Sequence, residues 1–93
     1  MKTIWKFHMP APRCLIDMPV GAQVIRVSKQ PPSDVCIWAI VESDNATEKR
    51  LFAVVGTGHA IPLDGRYLGT WDDGPFVWHL FEPNRTADRE AKP

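Results

Sequence analysis

The 93-residue sequence is short of several features that define large classes of proteins. It contains two cysteines, and eleven basic residues balance eleven acidic ones, so its formal net charge is zero. No apolar run approaches the roughly 18 residues of a membrane-spanning helix. These shortages argue against a disulfide-rich scaffold, a membrane protein and a protein that coats nucleic acid through an excess of cations.

The motifs of catalytic and metal sites are also missing. Cys14 and Cys36 lie in apolar stretches, at a spacing that fits neither a zinc site nor a redox pair. Because the N-terminus shows no signal peptide, we expect both to be buried free thiols. No serine lies in a G-x-S-x-G turn, and the three histidines have none of the spacings of metal ligands. We therefore expect no enzymatic activity, no metal and no cofactor.

What the sequence does have is many turn-forming residues between short apolar segments. Nine prolines and six glycines interrupt nearly every window with helical periodicity. The segments between them predict about seven short antiparallel strands, at residues 3–9, 14–18, 22–28, 35–41, 51–55, 66–71 and 76–81. We expect an all-β fold, a small barrel or sandwich, as a single domain over residues 1–83. Residues 84–93 alternate in charge and lack aromatics, which predicts a polar, frayed C-terminal tail.

The apolar patterns also assign partners and faces to these strands. Residues 35–41 are seven consecutive apolar residues, which predicts a central strand covered on both faces. We expect residues 51–55 to pair with it in a hairpin. A second hairpin should join the last two strands around Asp72-Asp73-Gly74-Pro75, with pairing resuming after Pro75. In the third strand we expect Ile25 and Val27 to face the core.

Two interpretations of the aromatic side chains remain open. A β domain of this size needs large side chains to fill its interior, and tryptophan supplies the most area per residue. The alternative is a platform on which aromatic rings stack bases beside Lys6 and Arg66. The residues concerned are Trp5, Phe7, Trp71 and Trp78.

The most unusual local feature is the segment Gly56-Thr57-Gly58-His59, which we call the 56–59 loop. Its glycines allow positive φ angles, and such a backbone can aim successive N–H groups at one anion. Thr57 adds a hydroxyl and His59 an imidazole, while Arg66 would supply positive charge. The alternative is a plain turn that needs glycine for its backbone shape. These five residues are the candidate ligand- or partner-binding residues.

Six stretches of the sequence carry a resemblance to a known family: TIWKF at 3–7, MPVGAQV at 18–24, IWAIV at 37–41, GTGH at 56–59 with Pro62, YLGT at 67–70 and VWHLFE at 77–82. Together and in this order, they resemble a family of small uncharacterised proteins encoded by tailed bacteriophages and prophages. That family is a domain of unknown function, so the resemblance implies no activity. It implies a phage or prophage origin and a location in the cytoplasm of an infected bacterium.

Three functions are consistent with these observations. The first is a non-enzymatic phage accessory protein that binds a host protein and inhibits or redirects it, a protein of antiphage defence being the sharpest case. The second is a sponge for a small anionic ligand such as a nucleotide, held by the 56–59 loop and Arg66. The third is a component of the phage particle, such as a decoration protein. Unpaired sheet edges and four tryptophans further predict a homo-oligomer, most simply a dimer.

Overall fold

The computed structural model describes residues 1–31, 34–61 and 65–83, and the predicted tail at 84–93 lies outside the described residues. The described residues form seven strands: β1 Lys2–His8, β2 Arg13–Pro19, β3 Gln23–Lys29, β4 Val35–Glu42, β5 Thr47–Gly56, β6 Arg66–Asp73 and β7 Phe76–Glu82. All their pairings are antiparallel. The prediction of an all-β fold is therefore confirmed. None of the described residues belongs to a helix that could cross a membrane.

The strands form two sheets that are stacked rather than closed into a barrel. The first sheet has the order β1-β4-β3, and the second has the order β2-β5-β7-β6. Of the two architectures predicted, the sandwich is the one observed. Along one side β3 lies against β6, where a Cβ atom on Gly69 would stand only 2.5 Å from Cγ1 of Val27. A side chain at Gly69 would thus collide with Val27 at the point where the two sheets meet.

The core lies between the sheets and is built from alternate residues of their strands. β4 is the middle strand of the first sheet, as predicted, and Ile37, Ala39 and Val41 on its inner side are fully buried. Cys36 on its outer side is buried too. Both cysteines are free thiols, but Cys14 is only partly buried, so the prediction of burial is confirmed for Cys36 alone. The second sheet supplies the rest of the core, chiefly Ile16, Met18, Phe52, Trp71 and Leu80.

The predicted hairpin between residues 35–41 and 51–55 is wrong. β4 pairs with β1 and β3, whereas β5 pairs with β2 and β7 in the other sheet. The chain leaves the first sheet through a turn in which Asn45 N–H donates to the Glu42 carbonyl at 3.0 Å. The Asn45 side chain then donates to the Val20 carbonyl at 2.9 Å, which ties the turn to the end of β2. The short polar connection therefore crosses from the first sheet to the second, and the strand that follows it, β5, pairs with β2 rather than with β4.

The second predicted hairpin is confirmed in detail. Asp73 pairs with Phe76, so the connection between β6 and β7 is the two residues Gly74 and Pro75. Gly74 has a φ of 59°, as a tight hairpin turn requires at its first central position. Pairing resumes directly after Pro75, which has no N–H to donate.

Two β-bulges shift the faces of strands that alternation alone would misassign. The register of β3 shifts between Val24 and Arg26, so Ile25 is 46% exposed, and the prediction that it faces the core is wrong. The extra residue puts Val24 and Val27 on the same inner side although they are three positions apart. β6 has the same irregularity between Tyr67 and Gly69.

Candidate functional site

The 56–59 loop follows directly from the end of β5. His59 N–H donates to the Gly56 carbonyl at 3.0 Å, which closes a turn, and Gly58 has a φ of 91°. Gly56 does not have a positive φ, so the prediction that both glycines take this conformation is wrong. It is needed for space instead, because a Cβ there would lie 3.0 Å from Nδ1 of His59 and 3.1 Å from the Trp78 ring. The imidazole of His59 therefore lies directly over Gly56, against Trp78.

The inner side of this loop borders a cavity of about 400 Å³ at one end of the sandwich. Its lining is mostly apolar and comes from both sheets and from the β1–β2 connection: Met9, Pro10, Ala11, Pro12, Val35, Val54, Gly56, Trp71 and Trp78, with His59 beside them. Three charged residues also line it. Lys29 donates to the Asp73 carboxylate at 3.3 Å, and Asp34 is the third.

Arg66 does not lie near this loop. It is the first residue of β6 and pairs with Glu82, whereas the loop joins the sheet where Trp78 pairs with Gly56 and Trp71. The β7 partners of these two points, Glu82 and Trp78, are four positions apart, which amounts to about 13 Å. Four of the five candidate residues, those at 56–59, are thus contiguous, and the fold does not bring the fifth, Arg66, close to them. A cation that does line the cavity at this end is Lys29, which the sequence did not single out.

The outer side of the loop begins a chain of hydrogen bonds across the second sheet. Oγ1 of Thr57 lies 2.9 Å from Nε2 of His79, and Nδ1 of His79 lies 2.9 Å from Oγ1 of Thr70. Oγ1 of Thr70 is in turn 2.6 Å from the Tyr67 hydroxyl. We call these four residues the hydroxyl–histidine chain.

One proton arrangement satisfies every link of this chain with a neutral histidine. Thr57 can donate its single hydroxyl hydrogen to the Val77 carbonyl, 3.2 Å away. It then accepts from Nε2–H of His79, while Nδ1 accepts from Thr70 and Thr70 accepts from Tyr67. A second arrangement suits the protonated ring, because both nitrogens then donate, the Thr70 hydroxyl donates to the Tyr67 oxygen, and the Tyr67 hydrogen points outward. The chain holds the imidazole in one orientation in either case.

Strand geometry explains why these side chains meet. His79 pairs with Thr70 on β6 and with Val55 on β5, so all three lie in one row across the sheet. Tyr67 and Thr70 are three residues apart and would face opposite sides of a regular strand. The bulge in β6 places both on the outer face.

The surroundings of the hydroxyl–histidine chain are largely apolar. The Tyr67 ring is 57% exposed and contacts Phe81 edge-on, with 5.7 Å between ring centroids. Val77 beside the loop and Leu15 on β2 are exposed as well. On the β2 side, the Lys49 ammonium lies 3.0 Å from the Asp17 carboxylate. The result is a polar line set in an apolar sheet face.

Three of the four aromatic residues considered for base stacking pack inside the sandwich. Trp71 is buried, and Phe7 and Trp78 pack against the core. Trp5 lies on the edge strand β1, 6.3 Å from Phe7 between ring centroids, and remains partly exposed. A stacking platform made from all four residues is therefore not present, because their rings do not share an open face.

The fold is a small antiparallel β-sandwich. The 56–59 loop lies at the end that carries the cavity, which we call the open end. The sequence matches the family described as "Domain of unknown function (DUF7352)" over residues 1–91, and the chain belongs to that family. No curated protein and no solved structure matches the chain significantly. Three of the stretches that carry the family resemblance, at 56–59, 67–70 and 77–82, supply all four residues of the hydroxyl–histidine chain.

Proposed function

We propose that this protein is a non-enzymatic binding module that engages a partner protein through the outer face of its second sheet, centred on the hydroxyl–histidine chain. The observation that carries the proposal is the ordered chain itself, in which four side chains from β6, β7 and the 56–59 loop are mutually hydrogen-bonded at the surface. Fixing exposed polar side chains costs conformational entropy. A partner that meets them already oriented has less entropy to lose on binding.

The chemistry of this face supports a protein as the partner. Protein interfaces are enriched in aromatic residues at their centre, and their energetic anchors are often tyrosine. Here Tyr67, Phe81 and Val77 surround the polar chain, and Asp17 and Lys49 neutralise each other beyond it. A nucleic acid would need a surplus of cations, which this face does not have.

The side-chain chemistry supports binding rather than catalysis. Thr57 and His79 are within hydrogen-bond reach, as a nucleophile and its base must be. The group that orients His79 is the neutral Thr70 hydroxyl, however, which cannot stabilise an imidazolium as a carboxylate does. The Val77 carbonyl also competes for the Thr57 hydroxyl.

The biological setting is part of the same proposal. The sequence resemblance to small proteins of tailed phages and prophages supports a phage accessory protein, acting in the host cytoplasm by inhibiting or redirecting a host protein. Defence proteins of the host are the sharpest class of target. A structural protein of the phage particle is the competing assignment.

Sequestration of a small anionic ligand is the other alternative, and the open-end cavity is where it would occur. Lys29 and His59 favour it. The two carboxylates of Asp34 and Asp73 weaken it, as does the commitment of the His59 N–H to the Gly56 carbonyl. Ligand screening by thermal shift with nucleotides tests this alternative directly.

The experiment for the proposed function is affinity capture from a bacterial lysate with matched variants. Thr57→Val combined with His79→Phe removes the hydroxyl–histidine chain while keeping similar volumes, and Val20→Thr in the exposed β2–β3 turn is the control. We expect the partner to be captured by the wild type and the control and lost with the double variant. Equal capture by all three, or sedimentation of the protein with virions, would contradict the proposal.

A further inference from the structure

The outer face of the first sheet is chemically unlike that of the second. It carries Lys2 and Lys6 on β1 and Arg26 on β3, because these residues alternate with the inward-facing ones. Among the described strand residues of this face, the one carboxylate is Glu42, and it lies 2.7 Å from the N-terminal ammonium. In a chain with no net charge, positive charge is therefore concentrated on this face.

The cations of this face are held in place beside apolar groups. The Arg26 guanidinium lies 5.6 Å from the centroid of the Trp38 ring, and the Lys6 ammonium donates to Oε1 of Gln30 at 3.0 Å. Ile4 is 55% exposed between the two lysines of β1. Along β1, the outward-facing side chains therefore alternate as a cation (Lys2), an apolar residue (Ile4) and a cation (Lys6).

β1 is also a sheet edge with hydrogen-bonding groups to offer. It pairs with β4 on one side, and no other described strand lies beyond it. Met9 N–H donates to Val35, and the Met1 carbonyl accepts from Ser43, so the odd-numbered residues bond to β4. The N–H and C=O groups of Lys2, Ile4, Lys6 and His8 therefore point to the free edge, on the same residues whose side chains face outward.

We propose that the free edge of β1 accepts an extended acidic segment of a partner protein as an added antiparallel strand. Residues of that segment opposite Lys2, Ile4 and Lys6 would share the outer face, since directly paired residues lie on one side of a sheet. The segment that fits has an acidic residue, an apolar residue and an acidic residue at alternate positions. Main-chain hydrogen bonds supply affinity, and the two lysines supply selectivity.

The same lysines disfavour a second copy of this chain at the edge. Antiparallel self-pairing that matches the free groups places Lys2 opposite His8 or Lys6 of the other copy. Four lysines would then crowd one face of the joined sheet, and like charges across a strand pair are destabilising. Lysine on an edge strand is a known device against unwanted pairing. The β1 edge therefore favours a partner segment of opposite charge. Because this edge belongs to the first sheet and the proposed host-binding surface to the second, the inference does not depend on the proposed function.

The test is a titration of the full chain, labelled with ¹⁵N, with seven-residue peptides. The acidic peptide has glutamate at its second and sixth positions, valine at its fourth and threonine elsewhere, and the matched peptide has lysine for glutamate. We expect the amides of β1 to shift with the acidic peptide, and about tenfold weaker binding of the basic one. In Lys2→Glu with Lys6→Glu, the preference should reverse, whereas Arg66→Glu should leave it unchanged.

Several results would overturn the inference. They are equal binding of the two peptides, shifts centred away from β1, an unchanged preference in the double variant, and no saturable shift at millimolar peptide. An oligothymidylate serves as the nucleic-acid probe. If the oligothymidylate binds this face and the acidic peptide does not, the face recognises phosphate groups rather than an acidic peptide, and the proposal fails. Circular dichroism of both variants checks that the exposed substitutions leave the fold intact.

Discussion

The two ends of the sandwich are built in opposite ways. At one end Arg50 and Glu82, only 12% and 19% exposed, form a two-pronged ion pair with N–O distances of 2.7 and 2.8 Å. Arg50 also donates to the Ala22 carbonyl at 2.6 Å and lies 5.6 Å from the Phe52 ring centroid. At the other end lies the mostly apolar cavity, where Lys29 and Asp73 form a half-exposed ion pair. The first end, which we call the closed end, is thus held by a nearly buried ion pair, and the open end carries the cavity beside the 56–59 loop.

This difference shows where the fold is stabilised and where it is free to serve function. Arg50 connects β5 to β7 and to the β2–β3 turn, so it fixes three parts of the chain at once. The Glu82 carboxylate raises the pKa of Arg50 by hydrogen bonding, against the opposing effect of desolvation. With one end held in this way, the loops at the other end can carry a cavity without losing the sheet pairing.

The largest expected effect comes from breaking the closed end. Arg50→Ala leaves the Glu82 carboxylate and the Ala22 carbonyl without their partner in a nearly buried site. We expect a loss of about 2–4 kcal/mol in the free energy of unfolding, since removing one member of a buried ion pair strands the other. Urea denaturation followed by tryptophan fluorescence measures it.

Lys29→Ala is the matched change at the open end. Because the Lys29–Asp73 pair is half exposed, its removal should cost less than about 1 kcal/mol. Equal losses in the free energy of unfolding for Arg50→Ala and Lys29→Ala would show that the two ends contribute equally to stability. Replacing Arg50 and Glu82 together by Met and Leu should recover much of the loss, because no unpaired charge remains.

A smaller contrast separates two glycines that both make room for a neighbour. In Gly69→Ala the new Cβ would lie 2.5 Å from the Val27 side chain at the junction of the sheets, and we expect a loss of about 1–3 kcal/mol. In Gly56→Ala the Cβ meets the His59 and Trp78 rings at 3.0–3.1 Å, and the exposed His59 can move. Thermal unfolding should therefore show Gly69→Ala melting well below Gly56→Ala, and a reversed order would contradict the greater freedom of the open end.

The strands could be predicted from the sequence because their periodicity is local. Residues 35–41 were recognisable as a central strand from an unbroken apolar run, and the Gly74-Pro75 turn from its composition. The pairing of β4 and β5 was not, because a four-residue connection fits a hairpin as well as a change of sheet. Ile25 was misassigned because a bulge adds one residue to β3, and the alternation of apolar and polar residues in the sequence does not show where that residue is inserted.

The site was predictable in part for the same reason. The 56–59 loop was identified from its two glycines, whereas His79 was considered only as one of three histidines that lack the spacings of metal ligands. The link between Thr57 and His79 was not visible, because Thr57 follows β5 whereas His79 and Thr70 lie inside β7 and β6, and the three meet only through the register of the strands. Tyr67 and Thr70 could not be placed on one face without knowing of the bulge between them. Arg66 seemed near the loop only in sequence.

The smallest expected effect tests whether burial, rather than position at the closed end, gives the Arg50–Glu82 pair its strength. The N-terminal ammonium lies at the same end, bonded to Glu42 at 2.7 Å and Asp44 at 3.1 Å, but it is exposed. The hydrogen bond to Glu42 raises the pKa of the ammonium above its ordinary value of 8.0. A group whose pKa is raised by folding adds stability that is complete below the unfolded pKa. That stability is lost as the pH rises through the folded value.

Stability should therefore fall slightly as the pH rises above 8, and acetylation of the N-terminus should remove that part of the fall. The measurement is the difference in melting temperature between the free and acetylated chains at pH 7 and at pH 10. We expect a small advantage for the free chain at pH 7 that shrinks as the pH is raised to 10, because the ammonium loses its proton and with it the ion pairs. A loss at pH 7 as large as that of Arg50→Ala would mean that location at this end suffices without burial. A difference that does not shrink between pH 7 and pH 10 would mean that the terminus acts through something other than its charge.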